Sequence, residues 1–196
     1  MEFIQASKSY YLDRSTYINL RWIAIIGQFI TINSVKFLLE FEFPYLLSNI
    51  IILFGIISNL YLYHFDINPQ ISNKSSFIYL LIDIFQLSIL LYLTGGVLNP
   101  FSIFLIIPSI FSSSNLNIRT NLTLITITLF IIIFLTFFSY DLPYPMNEKL
   151  SIDENYYYSI PLSLIVALIF LNYFAITFGK ESRLRKEALD KIQEVI

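Results

Sequence analysis

Six long apolar runs constrain the fold of this chain more than any other feature of its sequence. A helix needs about 20 predominantly apolar residues to cross the hydrocarbon core of a bilayer, and most of the runs approach that length. Hydrophobic residues make up 56% of the chain and charged residues only 13%, far from the composition of a soluble domain. The sequence therefore predicts an all-α polytopic membrane protein with six transmembrane helices, over residues 17–39, 45–63, 77–94, 100–115, 122–138 and 160–178.

Composition also excludes several classes of function. The chain contains no Cys, so disulfides, thiolate metal sites and a thiol redox switch are excluded. With one His and no cluster of acidic residues, we expect no metal site built from protein side chains alone. The sequence has no glycine-rich phosphate loop and no catalytic residue set, so we expect no ATP site in this chain. A net charge of −2 without a basic patch indicates that nucleic acid is not a partner.

The distribution of basic residues predicts the orientation of the chain in the membrane. Six spans place both termini on the same side, and of the 12 Lys and Arg residues only Lys36 and Lys149 fall on the other side. By the positive-inside rule both termini are cytoplasmic. We predict a cytoplasmic lead over residues 1–18, a six-helix transmembrane domain over 19–179 and a cytoplasmic helix over 180–196.

The C-terminal segment is predicted to be an amphipathic helix. Its charged residues surround one apolar stripe, formed by Leu184, Ala188, Leu189, Ile192, Val195 and Ile196. Such a stripe is typical of a dimeric coiled coil, but it covers about two heptads, fewer than the three or four that identify one. The alternative is an amphipathic helix that lies on the membrane or packs on another segment.

The seven residues from Gly95 to Phe101 join two apolar helices with the pattern Gly-Gly-Val-Leu-Asn-Pro-Phe. Glycine tolerates the left-handed conformation that ends a helix, and Asn99 before Pro100 is typical of an N-cap with proline in the first helical position. A tight turn between two membrane helices accounts for this pattern. The alternative is a ligand site, because a helix N-terminus offers free N–H groups to a carbonyl or an anion.

Asp83 is the one acidic residue that falls well inside a predicted span. An intramembrane carboxylate is costly and marks a functional or a pairing site. Asp83, Gln86 and Thr94 share one face of their helix, while Arg21 is expected to be an interfacial anchor on the same face of the first span as Gln28. The alternative to a functional Asp83 is an interhelical hydrogen bond that holds the bundle together, to Gln28, Asn59 or Asn172.

Four stretches of the chain together resemble RegB/PrrB-type sensor histidine kinases. They are LRWIAIIGQ at 20–28, the segment 83–108, DLPYP at 141–145 and EALDKIQEVI at 187–196. Members of that family are bacterial inner-membrane redox sensors with six spans, and a GGxxNPF heptapeptide between spans three and four is their hallmark, associated with ubiquinone binding. The heptapeptide is complete here, with its fixed positions at Gly95, Gly96, Asn99, Pro100 and Phe101.

The resemblance implies a membrane redox sensor of a two-component system with ubiquinone as the sensed ligand at those five positions. It also implies a homodimer in the bacterial inner membrane, with a kinase core and a response regulator as partners. The phosphorylated His and the ATP-binding domain of that family lie beyond the segment matched here, so whether this chain belongs to an enzyme stays open. Two alternatives remain: a small transporter or channel subunit that uses Asp83, Gln86 and Gln28, and a purely structural membrane partner.

Overall fold

The computed structural model describes residues 11–65, 68–143 and 153–193. Six α-helices and a small two-stranded sheet make up most of this part of the chain. In chain order the elements are β1 (Tyr11–Asp13), α1 (Arg14–Phe37), α2 (Tyr45–Phe65), β2 (Gln70–Ser72), α3 (Asn73–Leu93), two 3-10 helices (Gly96–Leu98 and Pro100–Ile106), α4 (Ile107–Asn115), α5 (Ile118–Phe137) and α6 (Glu154–Gln193).

The helical membrane fold predicted from the sequence is confirmed. Five of the described helices are long and apolar enough to cross a membrane, whereas the segment Pro100–Asn115 is shorter. Its first seven residues form a 3-10 helix, and nine α-helical residues follow. Because a 3-10 helix rises about 2.0 Å per residue and an α-helix about 1.5 Å, the segment extends about 27 Å. That reach is close to the roughly 30 Å of a bilayer core.

The polar side chains of the bundle face inward and the large apolar ones face outward. Ser48, Asn59, Ser109 and Thr128 are fully buried between helices, while many Ile, Leu and Phe side chains are exposed on the outer surface. This arrangement is expected in lipid, where small and polar residues hold helices together and apolar residues meet acyl chains.

A short antiparallel sheet at one end of the bundle was not predicted from the sequence. Leu12 of β1 pairs with Ile71 of β2, and both side chains are buried against the helices. The first strand falls in the predicted cytoplasmic lead and the second between two predicted spans. Strands of three residues are too short to show a periodic pattern in the sequence. The sheet holds the N-termini of α1 and α3 side by side.

The first helix begins at Arg14, within the segment predicted as a lead. Asp13 is its N-cap and accepts a hydrogen bond from the Thr16 backbone N–H at 2.8 Å; hydrogen bonding by Thr16 lowers the pKa of the Asp13 carboxyl. The Arg14 guanidinium donates to the carbonyl oxygens of Leu62 and Tyr63 in the last turn of α2. A cation at that position satisfies carbonyls that the helix leaves unpaired, so α1 and α2 are tied together at the sheet end.

The sixth span and the tail form one continuous helix of 40 residues, α6. It passes through Gly179, where an added Cβ would lie 3.0 Å from the Ser114 Cα, so glycine allows α4 and α6 to approach closely. The predicted tail helix is present as far as Gln193, whereas the last two residues of its apolar stripe lie outside the described residues. Its pairing in a dimer stays a prediction.

Candidate functional site

The Gly95–Phe101 turn lies where the sequence places it, between α3 and the fourth span. Gly95 has φ 108° and ψ 11°, and Gly96 has φ 58°. L-residues with a side chain rarely adopt this left-handed region, so two glycines in succession suit the turn. The chain then reverses through the two 3-10 helices, which begin at Gly96 and Pro100.

Asn99 ties both sides of the turn together with its side chain. Its Oδ1 accepts from the Phe101 N–H at 2.9 Å, which makes it the expected N-cap. Its Nδ2 donates to the backbone oxygen of Thr94 at 2.9 Å and to the Thr94 hydroxyl at 2.8 Å. Both amide protons are therefore in use, and the Asn99 side chain is a brace between the end of α3 and the start of the fourth span.

The two glycines are packed against the last turn of α5 and the segment that follows it. A Cβ at Gly95 would lie 2.6 Å from the Leu142 side chain, and a Cβ at Gly96 would lie 2.6 Å from the Leu135 carbonyl oxygen and 2.5 Å from the Ser139 hydroxyl. Real Cβ atoms do not approach other atoms so closely. The glycines are thus needed for close approach of protein to protein.

Pro100 and Phe101 are the exposed members of the predicted quinone site. The Phe101 side chain is 39% exposed, and its ring lies 5.8 Å from the ring of Phe104. Of the five predicted residues, the two glycines are thus buried, Asn99 braces the turn, and Pro100 and Phe101 form an exposed surface.

A buried ion pair accounts for the carboxylate in the third span. The Arg21 Nε lies 2.9 Å from Asp83 Oδ1, and the two side chains are 5% and 19% exposed. Tyr17 donates its hydroxyl to the other carboxylate oxygen at 2.5 Å. The guanidinium also donates to the Ser58 hydroxyl at 2.6 Å and to the Asn59 amide oxygen at 3.5 Å. We call these five residues the Arg21 network; it joins α1, α2 and α3.

The network corrects two sequence-based interpretations. Arg21 is not an interfacial anchor but a buried partner of Asp83, and none of Gln28, Asn59 and Asn172 is hydrogen-bonded to Asp83. Gln28 instead accepts from Gln86 at 2.9 Å. That pair lies beside Gly55, where an added Cβ would come 2.8 Å from the Gln86 amide nitrogen.

Sequence reasoning missed Tyr17, Arg21 and Ser58 as partners in this network. One signal was available for Arg21. A buried carboxylate is usually paired with a cation. Of the basic residues, Arg21 lies nearest to the middle of a predicted span, on the same helix face as Gln28. No sequence signal pointed to Tyr17 or Ser58, since Tyr and Ser occur throughout the predicted helices.

A second buried polar cluster joins α4, α5 and α6. The Asn172 Nδ2 donates to the Ser109 hydroxyl at 3.0 Å, and the Ser113 hydroxyl lies 2.5 Å from Asn172 Oδ1 and 2.9 Å from Asn121 Oδ1. A serine has one hydroxyl proton and cannot donate to both amides. Within the described residues, the Asn121 Nδ2 and the Ser112 hydroxyl lack a partner. Turning the Asn121 amide over would let its Nδ2 donate to Ser113.

Replacing Asn172 with leucine is expected to lower the free energy of unfolding only modestly, by about 1 kcal/mol. The serines keep backbone partners, since Ser109 donates to the Ile106 carbonyl and the Ser113 hydroxyl lies 2.9 Å from the Ser109 carbonyl, to which it can donate once the amide is gone. Reversible unfolding in mixed detergent micelles measures the change. A loss above about 3 kcal/mol would mean that these backbone bonds cannot replace the amide.

Comparison with known proteins finds a matching family model and a related sequence, but no matching solved structure. A family model described as a PilS-like transmembrane domain matches residues 16–188. The chain is also 29% identical over 175 residues to the sensor histidine kinase RegB of Cereibacter sphaeroides, an alignment that covers 89% of this chain and 38% of that protein. The chain thus spans well under half the length of this relative. No solved structure matches the chain significantly.

Proposed function

Because this chain belongs to the family of PilS-like transmembrane domains, we propose that it is the membrane sensor of a two-component system and responds to the redox state of the quinone pool. The observation that carries the proposal is the similarity to the sensor histidine kinase RegB over 89% of the chain. The proposal includes a homodimer in the bacterial inner membrane with cytoplasmic termini. It also includes a kinase core that receives the signal and a response regulator that the core phosphorylates.

The exposed ring of Phe101 supports a ligand that arrives through the lipid. A ubiquinone ring dissolved in the bilayer can stack on this side chain without entering the core of the bundle. Stacked aromatic pairs contribute about 0.5–1.5 kcal/mol beyond the area that they bury. The ring carbonyl would then compete with the Thr94 hydroxyl for one amide proton of Asn99. The hydroxyl would lose little, because it also donates to the Leu90 carbonyl at 2.8 Å.

The packing of α6 supports a route for the signal. Val97 of the turn lies in one hydrophobic cluster with Leu164 and Leu168 of α6. A ligand shifts an equilibrium only as far as it prefers one conformation. A quinone that replaces the Thr94 hydroxyl as a partner of Asn99 would therefore favour a different position of the turn against α6. Since α6 continues without a break to Gln193, such a shift reaches the end of the described chain.

Phe101→Ala is expected to weaken quinone retention about fivefold to tenfold, because it removes the stacking surface. The measurement is ubiquinone retained by the purified chain in nanodiscs after washing. Phe130→Ala is the matched control, since Phe130 is a lipid-facing phenylalanine on α5 that is 65% exposed and lies outside the turn. Equal retention by the wild type and both variants would contradict the assignment of the turn as the quinone site.

The transporter alternative receives no support from the geometry. A solute path through Asp83 needs a carboxylate that can meet the solute, but both carboxylate oxygens are bonded to Arg21 and Tyr17. Gln86 is likewise paired with Gln28. These residues hold three helices together instead.

A further inference from the structure

A lipid-facing groove of about 400 Å³ lies between α2 and α3, apart from the Gly95–Phe101 turn. Its size is within the range of small-molecule sites. The wall is mainly apolar and aromatic and includes Phe54, Ile57, Tyr61 and Ile78, and Ser58 adds a hydroxyl to it. A groove of this kind suits an elongated apolar molecule that carries one hydrogen-bonding group.

The Arg21 network determines what Ser58 offers to such a molecule. The Ser58 oxygen accepts from the Arg21 guanidinium at 2.6 Å, and Arg21 is held by Asp83 on its other side. Within the described residues, no group accepts the Ser58 hydroxyl proton. An adjacent cation polarises a hydroxyl towards donation. Ser58 therefore presents a hydrogen-bond donor to the groove and favours a ligand with an acceptor.

The depth of Ser58 in the membrane limits which molecules can bring an acceptor to it. Ser58 lies seven residues before the last residue of α2, Phe65, which is about 10 Å along the helix axis. If α2 spans the hydrocarbon core, the ester carbonyls of phospholipids lie outside this depth, in the interfacial region. The acceptor that reaches Ser58 belongs to a molecule dissolved in the core. Ser75, the other serine of the groove, lies at the third residue of α3 and thus near the interface.

We propose that the α2–α3 groove binds the ring of a membrane-soluble quinone, with Ser58 donating to a ring carbonyl and the apolar wall holding the ring and the first part of the tail. The choice of ligand class rests on the proposed function, whereas the site rests on the groove and on the Arg21 network. The site is separate from the turn: the β1–β2 sheet holds the N-termini of α1 and α3 at one end of the bundle, and the turn follows the C-terminus of α3.

Trp22 provides a readout that distinguishes the two sites. It is the only Trp of the chain and packs against a cluster that includes Leu12, Leu62 and Ile71, at the sheet end of the bundle. The groove, which includes Tyr61 and Ser75, lies at this end and the turn at the other, so quenching of Trp22 reports a quinone in the groove. The probe is decylubiquinone titrated into nanodiscs that contain the full chain, with saturable quenching of Trp22 as the signal. Retention of the same probe after washing is measured in parallel.

Two variants, Ser58→Ala and Ile78→Phe, are designed to weaken quinone binding in the groove, and Ser75→Ala and Ile89→Phe are their matched controls. Ser58→Ala removes the donor, and Ser75→Ala removes the interfacial hydroxyl. Ile78→Phe fills the groove without touching the Arg21 network. Ile89→Phe adds the same ring on the same face of α3 beyond the groove, at a residue that is 44% exposed compared with 45% for Ile78.

We expect Ser58→Ala to raise the half-saturating quinone concentration at least about fivefold, as the loss of one hydrogen bond of about 1 kcal/mol implies. Ile78→Phe should raise it by at least as much, because the added ring occupies the groove. Both controls should stay within about twofold of the wild type. If Ile78→Phe showed the same quenching curve as the wild type, the groove would not be the binding site. The same conclusion would follow if Ser75→Ala raised the half-saturating concentration as much as Ser58→Ala. Retention that depends on Phe101 but not on Ser58 or Ile78 would overturn the groove and leave the proposed function standing. No saturable binding or retention by the wild type would overturn both.

Discussion

Replacing Asp83 with leucine is expected to lower the free energy of unfolding by about 3–5 kcal/mol, the usual cost of breaking a buried ion pair from one side. The Arg21 guanidinium is 5% exposed and stays charged at any accessible pH. Without the carboxylate, its partners among the described residues are all neutral: the oxygens of Ser58 and Asn59 and the ring of Tyr17, whose centroid lies 5.6 Å from the guanidinium carbon. The large effect is therefore the cost of an uncompensated buried cation and not the strength of one contact.

A double-mutant cycle separates these two contributions. Arg21→Met with Asp83→Leu removes both charges and fills the space with apolar groups, so we expect the double variant to recover most of the loss. Tyr17→Phe, which removes one hydrogen bond to the Asp83 carboxylate, should cost about 2 kcal/mol, the usual value for a hydrogen bond to a charged group. Reversible unfolding in mixed detergent micelles is measured for the wild type, both single variants, the double variant and Tyr17→Phe. A double variant as unstable as Asp83→Leu alone would show that the uncompensated charge is not the cause.

Gly96→Ala is expected to lower the free energy of unfolding by about 2–5 kcal/mol. Alanine in the left-handed conformation costs about 1–2 kcal/mol. The added Cβ also overpacks the contact with α5, which typically costs 1–3 kcal/mol. The contact is rigid on one side, since the new Cβ would lie 2.6 Å from the backbone oxygen of Leu135. We therefore expect the turn and the end of α5 to move apart.

Gly27→Ala is the matched control for this substitution. Gly27 lies inside α1, and an added Cβ there meets nothing within 4 Å. Alanine should be neutral or slightly stabilising at that position, because glycine in a helix interior costs about 0.5–1 kcal/mol. If the two variants lost the same stability, the close approach at Gly96 would not explain the effect. Ser139→Gly combined with Gly96→Ala should recover only part of the loss, because the Leu135 oxygen remains.

Local features of the fold and of the turn were predicted from the sequence. Apolar runs identify membrane helices because a helix satisfies its own backbone in lipid, and no other part of the chain has to be known. The same is true of Asn99, whose capping bond to Phe101 N–H spans two residues. Such features depend on neighbours along the chain, and the sequence displays those neighbours directly.

Pairings across the bundle were decided only by the tertiary structure. Arg21 and Asp83 are 62 residues apart, and their contact depends on α1 and α3 being neighbours. The short sheet helps to make them so by joining Leu12 to Ile71. No periodic pattern in one helix identifies the residue that faces it on another. The sequence therefore predicts an interfacial anchor at Arg21, whereas the packing of the helices places its side chain beside the Asp83 carboxylate.

The glycines of the turn show the same division within a single motif. The sequence by itself determined that Gly95 and Gly96 end a helix, because the left-handed conformation is a property of the residue. Only the tertiary structure decided what lies against them, because Leu135 and Leu142 reach the turn through the packing of α5 on α3. Conformational preference is local and contained in the chain, whereas contact is a property of how the helices are arranged in space.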